Sequence, residues 1–247
     1  MKTQLVRFNS TDGLGLAGLL FTPKEKTDKI IINVHGSGGS FYGVLTDSLA
    51  PTFASNNIAY LAFNNRGAET VKKFYKGQDQ VVIGNEHEVF NECIFDIESA
   101  INFAKGLGYK DITLQGHSLG CNKVVYYAIQ KKFGGGLILL APVDIARDKP
   151  NLSRTKPWEK DSEIDMFRYR DGKMVSELGA LQNKILVQTG SVDPHIDQPN
   201  KQDTLDYLKK AFAKSDVQTI LIGNADHSYR GFETVVAKNT VKWLGGK

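Results

Sequence analysis

The sequence holds little that would staple a chain, anchor it or give it charge of one sign. Two cysteines in 247 residues, Cys93 and Cys121, make no disulfide framework and lack the paired spacing of a zinc site. Both fall in apolar surroundings and are expected to be small packed residues rather than reactive thiols. Lys and Arg exceed Asp and Glu by 31 − 27 = 4, and the densest basic stretches, Lys72-Lys73 and Lys131-Lys132, are only pairs. A nucleic-acid partner would call for charge concentrated on one face, so none is expected. The longest apolar run, Leu137 to Val143, is too short to cross a bilayer, and Met1 to Arg7 lacks the apolar centre of a signal peptide. A cytoplasmic location without membrane partners is the expectation. Phosphate-loop and dinucleotide fingerprints are missing as well, because Gly36, Gly38 and Gly39 have the wrong spacing.

What is present is an ordinary globular composition, 41% hydrophobic and 23% charged, with short β-type runs alternating with helical ones. Gln4 to Phe8 and Leu14 to Phe21 are expected to open the chain as an antiparallel pair. Lys29 to Val34, Ile58 to Phe63, Ile112 to Gln115, Gly136 to Ala141, Lys184 to Gln188 and Val217 to Ile222 follow as strands. Runs such as Ile30-Ile31-Ile32 are continuously apolar, as strands buried on both sheet faces are. Helical patterns cover Glu88 to Lys105, the residues after Leu119, Thr204 to Ala213 and Phe232 to Leu244. The prediction is one α/β domain over residues 1–247, with about eight strands and helices on both faces.

Residues 145–183 break that rhythm. The segment is charged, contains Pro150 and Pro157, and carries the aromatics Trp158, Phe167 and Tyr169. It follows the sixth strand, at the end of the sheet where ligands bind, and is expected to be a small helical insertion acting as a substrate lid.

The chemistry centres on Gly116-His117-Ser118-Leu119-Gly120, which joins a strand to a helical run. A nucleophilic serine on such a sharp turn needs small flanking residues, because neighbouring backbone passes close. Gly116 and Gly120 meet that demand. Serine also needs a base. Of the five histidines, only His227 follows the last strand, and it is the expected base. His117, His35 and His87 read as structural or surface residues. Asp193, after the seventh strand, is the preferred acid, with Asp144 and Asp197 as rivals. The chain order Ser118, Asp193, His227 matches that of the nucleophile-elbow hydrolases. The glycine-rich run His35-Gly36-Ser37-Gly38-Gly39-Ser40 places the backbone amides of Ser37 and Leu119 as oxyanion donors.

His35-Gly36, Asn64-Asn65-Arg66-Gly67, the Ser118 segment, Asp193 and His227 together resemble the α/β-hydrolase superfamily over nearly the whole chain. Phe41-Tyr42 after the glycine run, Cys121 after the elbow and Leu140-Ala141-Pro142 are similar to an esterase branch that includes fungal siderophore esterases. The resemblance implies an α/β-hydrolase fold with an eight-stranded, mostly parallel sheet, hydrolysis of a small-molecule carboxylic ester or related acyl bond, and no cofactor or metal. Where many relatives carry Asp, this chain has Asn64, at a position whose role is structural. Arg66 is expected to pin its turn by hydrogen bonds. Phe41, Tyr42, Trp158 and Phe167 are the expected pocket wall. A fold of this kind that binds a ligand with negligible turnover is the alternative. A metalloenzyme using His195 and Asp197 is weaker still, since no cluster completes the site. Oligomeric state is not legible.

Overall fold

The computed structural model describes residues 1–143, 177–196 and 201–245. Most of the expected lid, with Trp158 and Phe167, and the rival acids Asp144 and Asp197 therefore lie outside the described residues.

Two strands, β1 (Lys2–Asn9) and β2 (Gly15–Thr22), open the chain as an antiparallel pair in which Lys2 faces Thr22 and Asn9 faces Gly15. The strands β3 (Lys29–Val34) and β4 (Ala59–Phe63) are buried along almost their whole length. Between them lies helix α1 (Val44–Ser55). A hairpin of β5 (Lys72–Lys76) and β6 (Asp79–Ile83) stands apart from the main sheet. Next come α2 (Cys93–Gly106), β7 (Asp111–His117), α3 (Leu119–Lys131) and β8 (Leu137–Leu140). The chain continues with β9 (Lys184–Gly190), α4 (Lys201–Ala211), β10 (Asp216–Ile222) and α5 (Glu233–Trp243).

The eight-stranded sheet has the order β1-β2-β4-β3-β7-β8-β9-β10, parallel from β4 onward. This is the α/β-hydrolase fold. Leu49, Ala50 and Phe53 of α1 and Val236, Ala237 and Trp243 of α5 cover one face. Residues of α2, α3 and α4, among them Ile97, Ala100, Val124, Val125 and Leu205, cover the other. Each buried Ile, Leu or Val contributes about 1.5–3 kcal/mol, so the two clusters hold the sheet rigid.

From β3 the chain winds one way to β4, then returns past β3 to β7 and winds the other way. The carboxyl ends of β3 and β7 thus flank a reversal of strand order, where a crevice forms in open α/β sheets. His35-Gly36 and Ser118 follow those two strand ends. Helix α1 and the β5–β6 hairpin were not anticipated from the sequence. Pro51 inside α1 obscures its helical pattern. The hairpin turns on Gly77, at φ 64°, in a loop between the paired Lys76 and Asp79.

Candidate active site

Ser118 sits between the end of β7 and the first residue of α3 with φ 54° and ψ −124°. A non-glycine residue held at positive φ costs on the order of 1–3 kcal/mol, so the surroundings must impose it. The Ser118 amide donates to the Leu140 carbonyl at 2.9 Å, and the Cys121 amide donates back to the Ser118 carbonyl at 2.9 Å. Glycines make room for the turn. A Cβ on Gly36 would lie 2.8 Å from both the His117 carbonyl oxygen and the Ser118 Cβ. One on Gly116 would meet Cys121 N at 2.5 Å, and one on Gly120 would run into the Val34 carbonyl. Loop β3–α1, strand β7 and helix α3 therefore touch backbone to backbone at Ser118.

His227, after β10, places Nδ1 at 2.8 Å from Oδ2 of Asp193. The carboxylate accepts, so Nδ1 carries the proton and Nε2 presents a lone pair. Asp193 is fully buried, and its Oδ1 accepts the His195 amide at 2.8 Å. Burial works against the Asp193 charge, but the bonds from His227 and the His195 amide outweigh it and lower the carboxyl below the usual range. Strand ends bring the pair together. The Ser191 amide donates to the Ile222 carbonyl at 2.9 Å, and the Val192 amide to the Ala225 carbonyl at 3.1 Å.

His117 joins the two halves. Its Nε2 donates to the His227 carbonyl at 2.8 Å, and the two rings lie 5.1 Å apart. Burial pushes the His117 imidazole down to about 4, which keeps it neutral at neutral pH. The segment bearing Ser118 is thus tied directly to the loop bearing His227. That tie was not seen in the sequence, where His117 read as merely structural.

The glycine-rich loop is held from below by the turn after β4. The Asn65 amide donates to His35 Nε2 at 3.2 Å, and His35 Nδ1 donates to the Gly36 carbonyl at 2.9 Å. Burial, reinforced by the nearby Lys123 charge, pushes His35 down to about 3 and so fixes this neutral form. Asn64 Oδ1 accepts the Phe41 amide at 2.9 Å, a structural use of this side chain. Asn65 Oδ1 accepts from the Gly67 amide at 3.0 Å and from Lys123 Nζ at 3.1 Å, and Lys123 pairs with Glu88 at 2.5 Å. Arg66 is pinned as expected. Its backbone amide donates to Asp96 Oδ2 at 2.8 Å, and its guanidinium pairs with Asp96, Asp12 and Glu92. Burial opposes the Arg66 charge, but these carboxylates outweigh it and raise its hold on the proton.

From the outside, the loop leans on the segment around β5 and β6. The Glu69 amide donates to the Gly39 carbonyl at 3.0 Å, Tyr42 donates its hydroxyl to Glu69 at 2.8 Å, and Ser37 Oγ donates to Asn85 at 2.5 Å. Phe41 and Tyr42 meet edge to face with centroids 5.2 Å apart, and Tyr42 is exposed. Cys93 and Cys121 are fully buried, and burial pushes both thiols well up. Among the described residues, no group of three or more His, Cys, Asp or Glu side chains could hold a metal ion. None of the described helices is long and apolar enough to cross a membrane.

No known protein family and no curated protein matches the chain in sequence. Solved structures match it in fold. Est1E from Butyrivibrio proteoclasticus, with ferulic acid bound, superposes with a TM-score of 0.74 at 19% identity, covering 97% of each chain. The esterase domain of a Rhodothermus marinus protein gives 0.68 at 15% identity over 98% of each chain. An alpha-beta serine hydrolase homologue from Coxiella burnetii gives 0.67 at 15% identity, over 98% of this chain and 97% of its own. Likeness at this level of identity establishes the fold, and chemistry has to be argued from the residues of this site.

Proposed function

We propose that the chain is a serine hydrolase that cleaves a small-molecule carboxylic ester through Ser118, His227 and Asp193. The observation that carries this reading is the His117 bond to the His227 carbonyl. It joins a serine at φ 54° to an imidazole already bonded to a buried carboxylate.

In the proposed reaction, His227 Nε2 takes the hydroxyl proton as Ser118 Oγ attacks the ester carbonyl carbon. Asp193 holds the resulting imidazolium through Nδ1–H. The backbone amides of Ser37 and Leu119 donate to the oxyanion. The tetrahedral intermediate collapses as His227 returns the proton to the departing alkoxide, leaving an acyl-serine. Water, deprotonated by the same imidazole, then releases the carboxylic acid. Phe41 and Tyr42 are proposed as part of the pocket wall, with Trp158 and Phe167 from the expected lid. A cytoplasmic location and a small-molecule ester partner, without nucleic-acid or membrane partners, complete the proposal.

A fluorophosphonate probe tests it. Wild type is expected to be labelled at Ser118 and to turn over short p-nitrophenyl esters, and Ser118→Ala to do neither. An ester panel that includes a feruloyl ester and a fungal siderophore ester then sorts the acyl and alcohol groups. Labelling that survives Ser118→Ala would overturn the assignment.

A further inference from the structure

Asp193-Pro194-His195 turns sharply after β9. The carboxylate of Asp193 is shared, with Oδ2 accepting His227 Nδ1–H and Oδ1 accepting the His195 amide, each at 2.8 Å. An aspartate that bonds the backbone two residues on closes a local turn, and Pro194 restricts it further. The turn carries the His195 ring to 4.4 Å from the His227 ring, centroid to centroid, at an interplanar angle of 56°. This is closer than the His117 ring at 5.1 Å. The two neighbours also differ in their access to water. His117 is partly buried and spends its Nε2–H on the His227 carbonyl, whereas His195 is exposed.

A general base must stay within hydrogen-bond reach of the proton it takes, and a ring packed against it at this distance limits its swing away from that line. Other polar groups sit around His227. Asp193 faces it from the end of β9 and His117 from the elbow. From its own loop come Asp226, which accepts the Ser228 and Arg230 amides, and Tyr229, whose hydroxyl donates to the Gln188 carbonyl. Among these described neighbours, only His195 combines ring contact with exposure.

We propose that His195 is a positioning residue for the base: its ring, packed against the imidazole, keeps His227 over Asp193. The inference rests on the serine-hydrolase reading above. Because the bond to Asp193 comes from the His195 backbone, side-chain replacements leave that bond in place.

Two variants test the role of the ring. His195→Ala removes it and is expected to lower kcat about tenfold while KM stays within about twofold. His195→Phe restores the packing and brings kcat back to within about twofold of wild type. A purely structural role would lower the melting temperature of both variants and would not be rescued in kcat alone. Equal kcat in the Ala variant and wild type, or a Phe variant as slow as the Ala variant, overturns the proposal.

The NMR signal of the His227 Nδ1 proton in a Ser118→Ala background gives a readout free of turnover. Exchange of that proton with solvent is expected to quicken in His195→Ala and to return to the parent rate in His195→Phe. If wild type proves inactive and unlabelled while that ordering holds, the hydrolase reading fails and the positioning by His195 stands. If wild type is active but the exchange rates coincide, the positioning role fails alone.

Discussion

His117 donates its Nε2 proton to the backbone carbonyl of His227 at 2.8 Å, so the residue beside Ser118 holds the loop that carries His227. Two chain segments more than a hundred residues apart are fixed by one neutral imidazole. Replacing His117 by Phe keeps a ring and removes the donor. It is expected to cost about 1–3 kcal/mol of stability, because a buried partner is left unsatisfied. Activity is expected to fall further than stability, since the His227 loop loses its registration. Urea unfolding and esterase assays on the same preparation check both, and an unchanged kcat would remove His117 from the site's support.

Asp193 is expected to act as an ionised carboxylate throughout the working pH range. Asp193→Asn presents the wrong hydrogen-bonding group to Nδ1 and is expected to lower kcat by roughly 10³- to 10⁴-fold. The stability prediction has a definite sign. The folded carboxyl lies below its ordinary value, so its stabilisation is complete above the unfolded pKa and is lost as pH falls through the folded one. Urea unfolding of wild type and Asp193→Asn should therefore diverge most at neutral pH and converge below about pH 4. A gap that widens on acidification would contradict the assignment.

The glycines at the elbow are there for clearance. Gly120→Ala places a methyl against the Val34 carbonyl, and Gly36→Ala places one 2.8 Å from the Ser118 Cβ. Each is expected to destabilise by about 1–3 kcal/mol and to abolish probe labelling of Ser118 before unfolding sets in. Gly134, with no heavy atom within 4 Å of an added Cβ, is the control. Gly134→Ala should stay within about 0.5 kcal/mol of wild type.

Arg66 is buried at 2% exposure with fully buried Asp96 as its main partner. Arg66→Met leaves the Asp96 charge uncompensated and is expected to cost about 3–5 kcal/mol. Arg66→Lys should recover only part of that loss, because an ammonium lacks the fork that bonds Asp96 through Nε and Nη2 together. Thermal melts of both variants check the order, and a Lys variant equal to wild type would refute the role of the fork.

The glycine-rich loop after β3 is where the sequence stops being informative. His35-Gly36 at the end of a buried strand is readable from pattern alone, and so is Asn64-Asn65-Arg66-Gly67 as a turn. That the Asn65 backbone amide donates to His35 Nε2, and that Lys123 of α3 donates to Asn65 Oδ1, depends on contacts 30 and 58 residues apart. No local periodicity carries such information. The same holds for Glu69, whose amide fastens the loop at Gly39 from a segment to which the sequence pattern assigned no element.

Local chemistry in the sequence determined the strands of the main sheet, the glycine-bounded serine and the order Ser118, Asp193, His227. Alternating or continuous apolar runs, small residues and turn formers act over a few positions and leave their mark in the order of letters. Only the tertiary structure decided that Asp193 accepts from both His227 and the His195 amide, that His117 closes the elbow onto the His227 loop, and that His195 lies against the His227 ring. These relations arise where strand ends from distant parts of the chain converge at one edge of a parallel sheet. Their geometry is set by the packing of the whole fold rather than by any one segment.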